Sequence, residues 1–416
     1  MIKLLHFADA HIDIAAHGKH DAESGLPVRV LDFLAALDTI IDAAIIEKVD
    51  LVIFAGDAYK DRSPSPTFQR EWGKRIMRLS SAAIPTILLV GNHDISPASG
   101  RANTLHEFDT LQVPHVHVIS KPEFLKPGDL DGLPVQILGL PWVFRSGLMA
   151  SLELSGASPE KVNEEIEARL NGIFEQWLGE LDPSLPTILT AHGSVQGAIY
   201  GNERTVMLGK DLILSGGLVK DPRLDYVALG HIHKSQDVNQ GNHPPVVYPG
   251  SIERVDFGEV NDEKFFVIAS VEKGKTSYEF HKLQGRRFFD RSVKVESSND
   301  MMEKVMAVLP SAEKIKDSIL RLIVEYPREL DLFLDEPALR QYCAGALEFH
   351  LVRRPQEEAR LRLPGDQSLA SLSPLEMLDL YWSSINSHPQ DTAELKSMAQ
   401  NIINSSTSDF TQREEG

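Results

Sequence analysis

Residues 86–94 read TILLVGNHD, from Thr86 to Asp94: an apolar, β-rich run that stops at Gly91 and then sets an amide, an imidazole and a carboxylate side by side. Gly91 and Asn92 are good turn residues, and alone they would mark a solvated turn. The pattern recurs, however. IKLLHFADAH runs onto Asp9 and His11, DLVIFAGDAY onto Asp57, TILTAHGS onto His192, and DYVALGHIH onto His231 and His233. Each time a short apolar run ends on Asp, Asn or His and the next element begins.

Between these runs lie helical patterns. Val30, Leu34, Leu37, Ile41 and Ala44 share one face, as do Phe68, Trp72, Ile76 and Leu79, and a longer amphipathic stretch over 160–181 carries Val162, Ile166, Leu170, Phe174, Trp177 and Leu181. Apolar strands alternating with such helices predict an α/β fold with covered sheets, where ligands sit at the carboxyl ends of strands. After Arg286 the style changes. RSVKVE, SILRLIVEYP and ALEFHLVRR read as strands, with helical stretches near Met301 to Leu309 and Glu336 to Gly345, which predicts a small second α/β domain over 286–355. A polar linker, 356–372, follows. Ser373-Pro374-Leu375-Glu376 then has the spacing of a capping box with proline at the first helical position. Asp391 to Glu394 repeats that spacing, predicting a helical pair within 373–416.

The chain has 416 residues, 42% of them hydrophobic and 25% charged, the make-up of a water-soluble protein with room for two or three domains. No uninterrupted apolar stretch is long enough to span a membrane. The N-terminus runs straight into a strand, leaving no room for a cleaved signal, and the single cysteine, Cys343, excludes an internal disulfide; both point to the cytoplasm. A net charge of −18 argues against a nucleic-acid binder on charge alone. Two bound divalent cations would return roughly four positive charges at one spot, so the local site decides.

Singly, each strand-end motif is weak. Together they supply Asp9, His11, Asp57, Asn92, His192, His231 and His233: too many donors for one tetrahedral ion, and suited to a two-metal site with open positions. On an extended segment His231 and His233 face the same side. Carboxylate, amide and imidazole donors without thiolate fit Mn, Fe or Zn better than a structural zinc cage, and Asp57, central in the series, is the natural bridge. The alternative, polar side chains clustered without a metal, would bury charge with no Lys or Arg at those positions to pair it.

The ordered set D-x-H, G-D, G-N-H-D, H-G and G-H-x-H, complete from Asp9 to His233, resembles the signature of the calcineurin-like metallophosphoesterases. The later stretch VVYPGSIERVDFGEVNDEKFF, residues 246–266, is similar to the SbcD-type nuclease subunit of double-strand-break repair complexes. Protein phosphatases of the superfamily carry G-D-x-x-D-R-G, whereas this chain has one more residue between Asp57 and Asp61-Arg62 and Ser63 in place of the last glycine. The resemblance implies a metallophosphoesterase β-sandwich flanked by helices over 1–285, a capping domain over 286–355 that helps guide DNA, and a C-terminal helical hairpin within 373–416 that binds the coiled-coil base of an SMC-like ABC ATPase. It implies two divalent ions, Mn2+ above others, one held by Asp9, His11, Asp57 and His233 and the other by Asp57, Asn92, His192 and His231.

On the same resemblance His93 is no ligand; it faces the substrate, stabilising the phosphorane or protonating the leaving 3′-oxygen, with Asp94 setting its tautomer and charge. Lys60 stands where some family members have a second histidine, and Lys60, Arg62 and Arg254 are expected phosphate contacts. The family dimerises through helices of the nuclease domain, to which Phe68, Trp72 and Ile76 would contribute unless they are ordinary core. The implied activity is a 3′ to 5′ double-strand exonuclease and structure-specific endonuclease acting on DNA ends within a heterotetramer. The rivals are a small-molecule phosphodiesterase or phosphatase with the same metals, and a non-catalytic DNA-end scaffold.

Overall fold

Alternation along single strands sets the architecture. In the strand Leu51–Phe54, Ile53 faces one way and Val52 and Phe54 the other, yet all are fully buried, so both faces of the sheet are covered. The computed structural model describes residues 1–13, 18–95, 102–142, 159–201, 213–356, 373–384, 392 and 395–402.

In chain order the strands of the first sheet are β1 (Ile2–Phe7), β2 (Leu51–Phe54), β3 (Thr86–Leu89) and β4 (Val116–Ile119). The second sheet follows with β5 (Glu123–Leu125), β6 (Gln136–Leu140) and β7 (Thr187–His192). After a small pair, β8 (Ser194–Val195) and β9 (Ile213–Leu214), it adds β10 (Tyr226–Gly230), β11 (Gln236–Asp237) and β12 (Val246–Tyr248). The chain then returns to the first sheet through β13 (Lys264–Glu272) and β14 (Lys275–Leu283). The orders are β14-β13-β1-β2-β3-β4 and β11-β12-β10-β7-β6-β5. The runs β1-β2-β3-β4 and β6-β7-β10-β12 are parallel, so each sheet delivers several carboxyl ends on one side.

Three hydrophobic layers hold this sandwich. Leu4, Ile53, Ile87, Ile137, Ile188, Ala228 and Val267 form the layer between the sheets. Helices α1 (Val28–Ile46) and α2 (Pro66–Ser81) cover the outer face of the first sheet, burying Val30, Phe33, Leu37, Trp72, Ile76 and Leu79 against Leu5, Phe7 and Phe54. Helix α3 (Pro159–Gly179) covers the second, through Ile166, Leu170, Phe174 and Trp177. Trp72 and Ile76 are completely buried in this core, which removes them as dimer contacts; Phe68 packs half-buried beside them.

Beyond β14 three strands, β15 (Phe288–Lys294), β16 (Ile319–Pro327) and β17 (Glu348–Gln356), form a separate sheet in that order, with helical segments Met301–Ala307 and Glu336–Tyr342 between them. The chain divides into two compact units. The first is Met1–Asp290 with 310–321 and 342–350; the second is 291–309, 322–341 and 351–416. The segment 357–372 of the expected linker and the expected second capping box, except Thr392, lie outside the described residues. The first capping box is present: Glu376 accepts the Ser373 N–H at 2.7 Å, and the Ser373 hydroxyl accepts the Glu376 N–H at 3.4 Å, opening α4 (Pro374–Ser384). Among the described residues no helix is long and apolar enough to cross a membrane.

A polar residue inside the apolar layer also joins the two sheets. His6 on β1 sits in the inner layer, its Nε2–H donating to the Leu229 carbonyl at 3.2 Å and its Nδ1 accepting from the Tyr226 hydroxyl at 3.1 Å. Burial pushes its pKa down to about 3, against the smaller opposing pull of the Leu229 carbonyl. The unfolded chain binds a proton near pH 6.5 that the folded chain refuses until about pH 3, so this stability is complete above pH 6.5 and is lost as pH falls. About 2 kcal/mol should disappear between pH 6.5 and pH 5 from this group. Urea unfolding at both pH values checks it: His6→Gln should flatten the pH dependence by that amount, and an unchanged slope would mean that His6 is protonated in the fold.

Candidate metal centre

The carboxyl ends of parallel strands from both sheets meet here. Asp9 and His11 follow β1, Asp57 follows β2, Asn92, His93 and Asp94 follow β3, His192 ends β7, and His231 and His233 follow β10. The backbone is forced to hold them. Asp9, His11, Asp57 and His231 have φ of 53°, 40°, 64° and 101°, a region that L-residues with a Cβ seldom enter and that costs of order 1 kcal/mol or more each. Hydrogen bonds maintain the strain. Asp9 N–H donates to the Gly56 carbonyl at 2.9 Å, Ala10 N–H to the Asp57 carbonyl at 2.8 Å, and His231 N–H to both Asp9 carboxylate oxygens at 3.0 and 3.1 Å.

The glycine of GNHD has a steric reason. A Cβ on Gly91 would lie 2.2 Å from Asp57 Oδ1 and 2.6 Å from the Asp57 nitrogen. Gly56 is constrained likewise: its φ is 100°, and a Cβ there would meet His192 Nδ1 at 2.3 Å. Close approach of strand-end loops, rather than a free turn, makes these positions glycine.

Two groups of donors emerge among the described residues, Asp9 with His11 and His233, and Asp57 with His192 and His231, the ligand atoms of each within 4.8 Å of one another. Asp57 reaches toward both, its Oδ2 lying 3.9 Å from His11 Nε2 and 3.4 Å from His192 Nε2. Asn92 Oδ1 stands 3.0 Å from His192 Nε2 and 2.9 Å from His231 Nδ1. The seven residues expected from the strand ends are therefore brought together.

The proton positions on the rings test whether this set fits cations. His11 Nδ1–H donates to the Tyr59 carbonyl at 3.3 Å and His233 Nδ1–H to Glu259 at 2.7 Å, so each ring in its neutral form presents an Nε2 lone pair. Those two nitrogens face each other at 3.1 Å. His192 Nδ1–H donates to the Ala55 carbonyl at 2.7 Å, so that in the neutral ring the Nε2 lone pair faces the oxygens of Asn92 and Asp57. Acceptors facing acceptors repel unless a cation lies among them. Two imidazole nitrogens sharing one ion at roughly 2.1 Å stand roughly 3 Å apart, in keeping with the first pair. The donor set fits two divalent ions.

Electrostatics agree. Burial opposes a charged His192, yet the Asp57 carboxylate, its hydrogen bond and Asp9 outweigh it and push the pKa up to about 9. Burial likewise opposes ionised Asp57, but His192, His93 and His11 hold it well below the usual carboxylate range. Where no cation binds, a proton on His192 Nε2 satisfies the oxygens of Asp57 and Asn92, and a cation would take that proton's place.

Asp94 departs from expectation. Its carboxylate does not orient His93. It accepts the N–H groups of Asp57 at 2.8 Å, Gly91 at 2.9 Å and Ala58 at 3.0 Å, and the Thr104 hydroxyl at 3.2 Å. Burial, then the Asp57 charge, push its pKa up to about 7. Asp94 thus binds the Asp57 loop to the Gly91 turn. His93 is set by Lys60 instead: its Nδ1–H donates to the Lys60 carbonyl at 2.9 Å, and Lys60 Nζ lies 3.3 Å from its Nε2. The His93 N–H donates to Asp57 Oδ1 at 2.8 Å. Asp13, two residues past His11, accepts the N–H groups of Lys60 and Asp61 and so anchors that carbonyl.

Of the three expected phosphate contacts, Lys60 reaches His93. Arg254 is largely buried and its Nη1 donates to the Arg286 carbonyl at 3.3 Å; Arg62 is half-buried on the segment before α2. Sequence reasoning missed Glu259 behind His233, the Ala55 and Tyr59 carbonyls, and Trp142, whose ring centroid lies 5.0 Å from that of His231. Glu259 stands inside the VVYPGSIERVDFGE stretch, but nothing in that spacing signals its burial.

Comparison with known proteins shows the family. The calcineurin-like phosphoesterase family matches residues 2–235, more than half of the chain, and the chain belongs to that family of metal-dependent phosphoesterases, which use a two-metal site. The chain is 26% identical over 322 residues to the uncharacterized metallophosphoesterase YhaO of Bacillus subtilis strain 168, covering 76% of this chain and 68% of that one. It is 24% identical over 374 residues to the DNA double-strand break repair protein Mre11 of Archaeoglobus fulgidus, covering 87% and 77%. It is 25% identical over 346 residues to SbcD of the SbcCD nuclease from Staphylococcus epidermidis, covering 80% and 85%.

If Gly91 is needed because Asp57 lies against it, Gly91→Ala should displace the carboxylate that reaches toward both groups. Isothermal titration with Mn2+ should show at least tenfold weaker binding at both sites while the circular dichroism spectrum is unchanged; wild-type affinity would refute the steric account.

Proposed function

We propose that this protein is a dimetal-dependent DNA nuclease of the SbcD type, hydrolysing phosphodiester bonds at DNA ends as the nuclease subunit of a complex with an SMC-like ABC ATPase. The observation that carries the reading is the placement of His93: beside Asp57, outside both donor groups, with its Nδ1–H held by a carbonyl and its Nε2 facing Lys60 Nζ. The choice of DNA rests on the similarity to Mre11 and SbcD, which extends over 374 and 346 residues and so well past the phosphoesterase segment.

In this reading Asp9, His11, Asp57 and His233 hold one ion, and Asp57, Asn92, His192 and His231 the other, Mn2+ being the expected metal. When bound, the two cations supply a nucleophilic water at neutral pH and neutralise charge on the phosphate. Asn92, an uncharged donor, keeps the site from accumulating excess negative charge. To act as the acid His93 would first take a proton from solvent at Nε2, in place of Lys60 Nζ; it would give that proton to the leaving 3′-oxygen and return to the neutral ring, whose Nδ1–H the Lys60 carbonyl holds. Lys60 Nζ, beside that nitrogen, offers a point charge to the phosphate but is a poor proton shuttle near neutral pH. Strand-end polarity, 3′ to 5′, and structure-specific endonuclease action are part of the proposal, as is a homodimer within a heterotetramer.

The terminal helices support a partner. Met377 of α4, and Leu395 and Met398 of the following helix, are between 38% and 63% exposed. Two short helices that leave such side chains in water have an apolar surface still to be covered, as a docking segment for the ATPase would.

The test is Mn2+-dependent nucleotide release from a linear duplex, with His93→Ala alongside. Wild-type cleavage reduced roughly 10²- to 10⁴-fold in the variant, with Mn2+ content unchanged, is the expected result. Turnover of a small phosphodiester with no cleavage of DNA would make the protein a small-molecule phosphodiesterase instead. No turnover of either substrate would favour a scaffold.

A further inference from the structure

A buried ion pair stands behind one side of the metal centre. Glu259 and Lys264 are 4% and 2% exposed, and Lys264 Nζ lies 2.7 Å from Glu259 Oε2. The other carboxylate oxygen, Oε1, accepts His233 Nδ1–H at 2.7 Å. Oε2 also accepts the Val255 N–H at 2.9 Å and the Ser251 hydroxyl at 3.4 Å. Lys264 Nζ donates in addition to the Ser251 hydroxyl at 2.7 Å and to the His233 carbonyl at 3.3 Å. The pair therefore grips His233 twice, at its ring through Glu259 and at its backbone through Lys264.

A buried ion pair of this kind is a poor source of stability, since desolvating two charges costs about as much as their attraction returns. Its geometry suits another task. A carboxylate behind an imidazole fixes which nitrogen carries the proton and which way the ring points. An unpaired carboxylate in that position would add negative charge to a site that already holds Asp9 and Asp57; Lys264 cancels it and leaves only the hydrogen bond. We propose that Glu259 and Lys264 are positioning residues for His233, acting as one unit that presents its Nε2 to the ion shared with Asp9 and His11. This rests on the two-metal reading of the site.

The unit makes a prediction that independent stabilising residues would not: removing both charges should harm the site less than removing either. Mn2+ binding to the full chain is measured by electron paramagnetic resonance and calorimetry, with unfolding followed separately. Glu259→Gln and Lys264→Met should each weaken binding at one of the two sites at least tenfold, because each leaves the other charge buried and unpaired. The double variant, neutral and close in shape, keeps an oxygen for His233 Nδ1–H and should return to within about threefold of wild type. Single variants that bind as wild type does, or losses that simply add in the double variant, would overturn the proposal.

Should either single variant fail to fold, the double variant is compared with Glu259→Leu/Lys264→Met, which lacks the acceptor. Tenfold weaker Mn2+ binding in the latter supports the positioning role, and equal binding overturns it. A wild-type chain that binds no Mn2+ at all would overturn the two-metal reading itself, a result distinguishable from either outcome above.

Discussion

The loop carrying Asp57 is the point on which the site depends. Asp94 gathers its N–H groups with that of Gly91, Gly91 leaves room for its carboxylate, and the Asp57 carbonyl accepts the N–H groups of Ala10 and His11. Three strand ends of the first sheet are thus bound into one rigid cluster before any metal is considered. The second sheet attaches to it directly, through His192 on the Ala55 carbonyl and the His231 N–H on Asp9. Parallel strands make this possible, because only they bring several carboxyl ends to the same edge.

That arrangement is unfavourable to build without a cation. Four of the donor residues hold left-handed backbone, and ring nitrogens and oxygens that can only accept in the neutral site face one another at about 3 Å. The three hydrophobic layers supply the stability that sustains this strain, the inner one tying the two sheets and the outer ones seating α1, α2 and α3.

Much of this was legible in the sequence, for particular reasons. A strand buried on both faces reads as an unbroken apolar run, so LVIF and TILL stood out, and polar residues at the ends of such runs had no bland explanation once several recurred. The helices over 28–46 and 66–81 followed from one apolar face each. What escaped was three-dimensional. The adjacency of His93 and Asp94 suggested a pair, but the left-handed Asp57 loop brings Lys60 to the ring and takes the carboxylate for itself. Trp72 and Ile76 belong to a helix face that sequence alone could assign to a core or to an interface, and only packing against Phe54 and Tyr59 decides it. Glu259 and Lys264 are charged residues in a polar stretch, and no periodicity marks a charge that is buried because another is buried with it.

Anomalous diffraction at the manganese edge, from crystals of the full chain equilibrated with Mn2+, shows whether Asp57 is shared between two ions. Two peaks are predicted, one bonded to Asp9, His11 and His233 and the other to Asn92, His192 and His231, with the Asp57 carboxylate bonded to both. A single peak, or two peaks with Asp57 bound to only one, would contradict the account of Asp57 as the shared ligand around which the site is built.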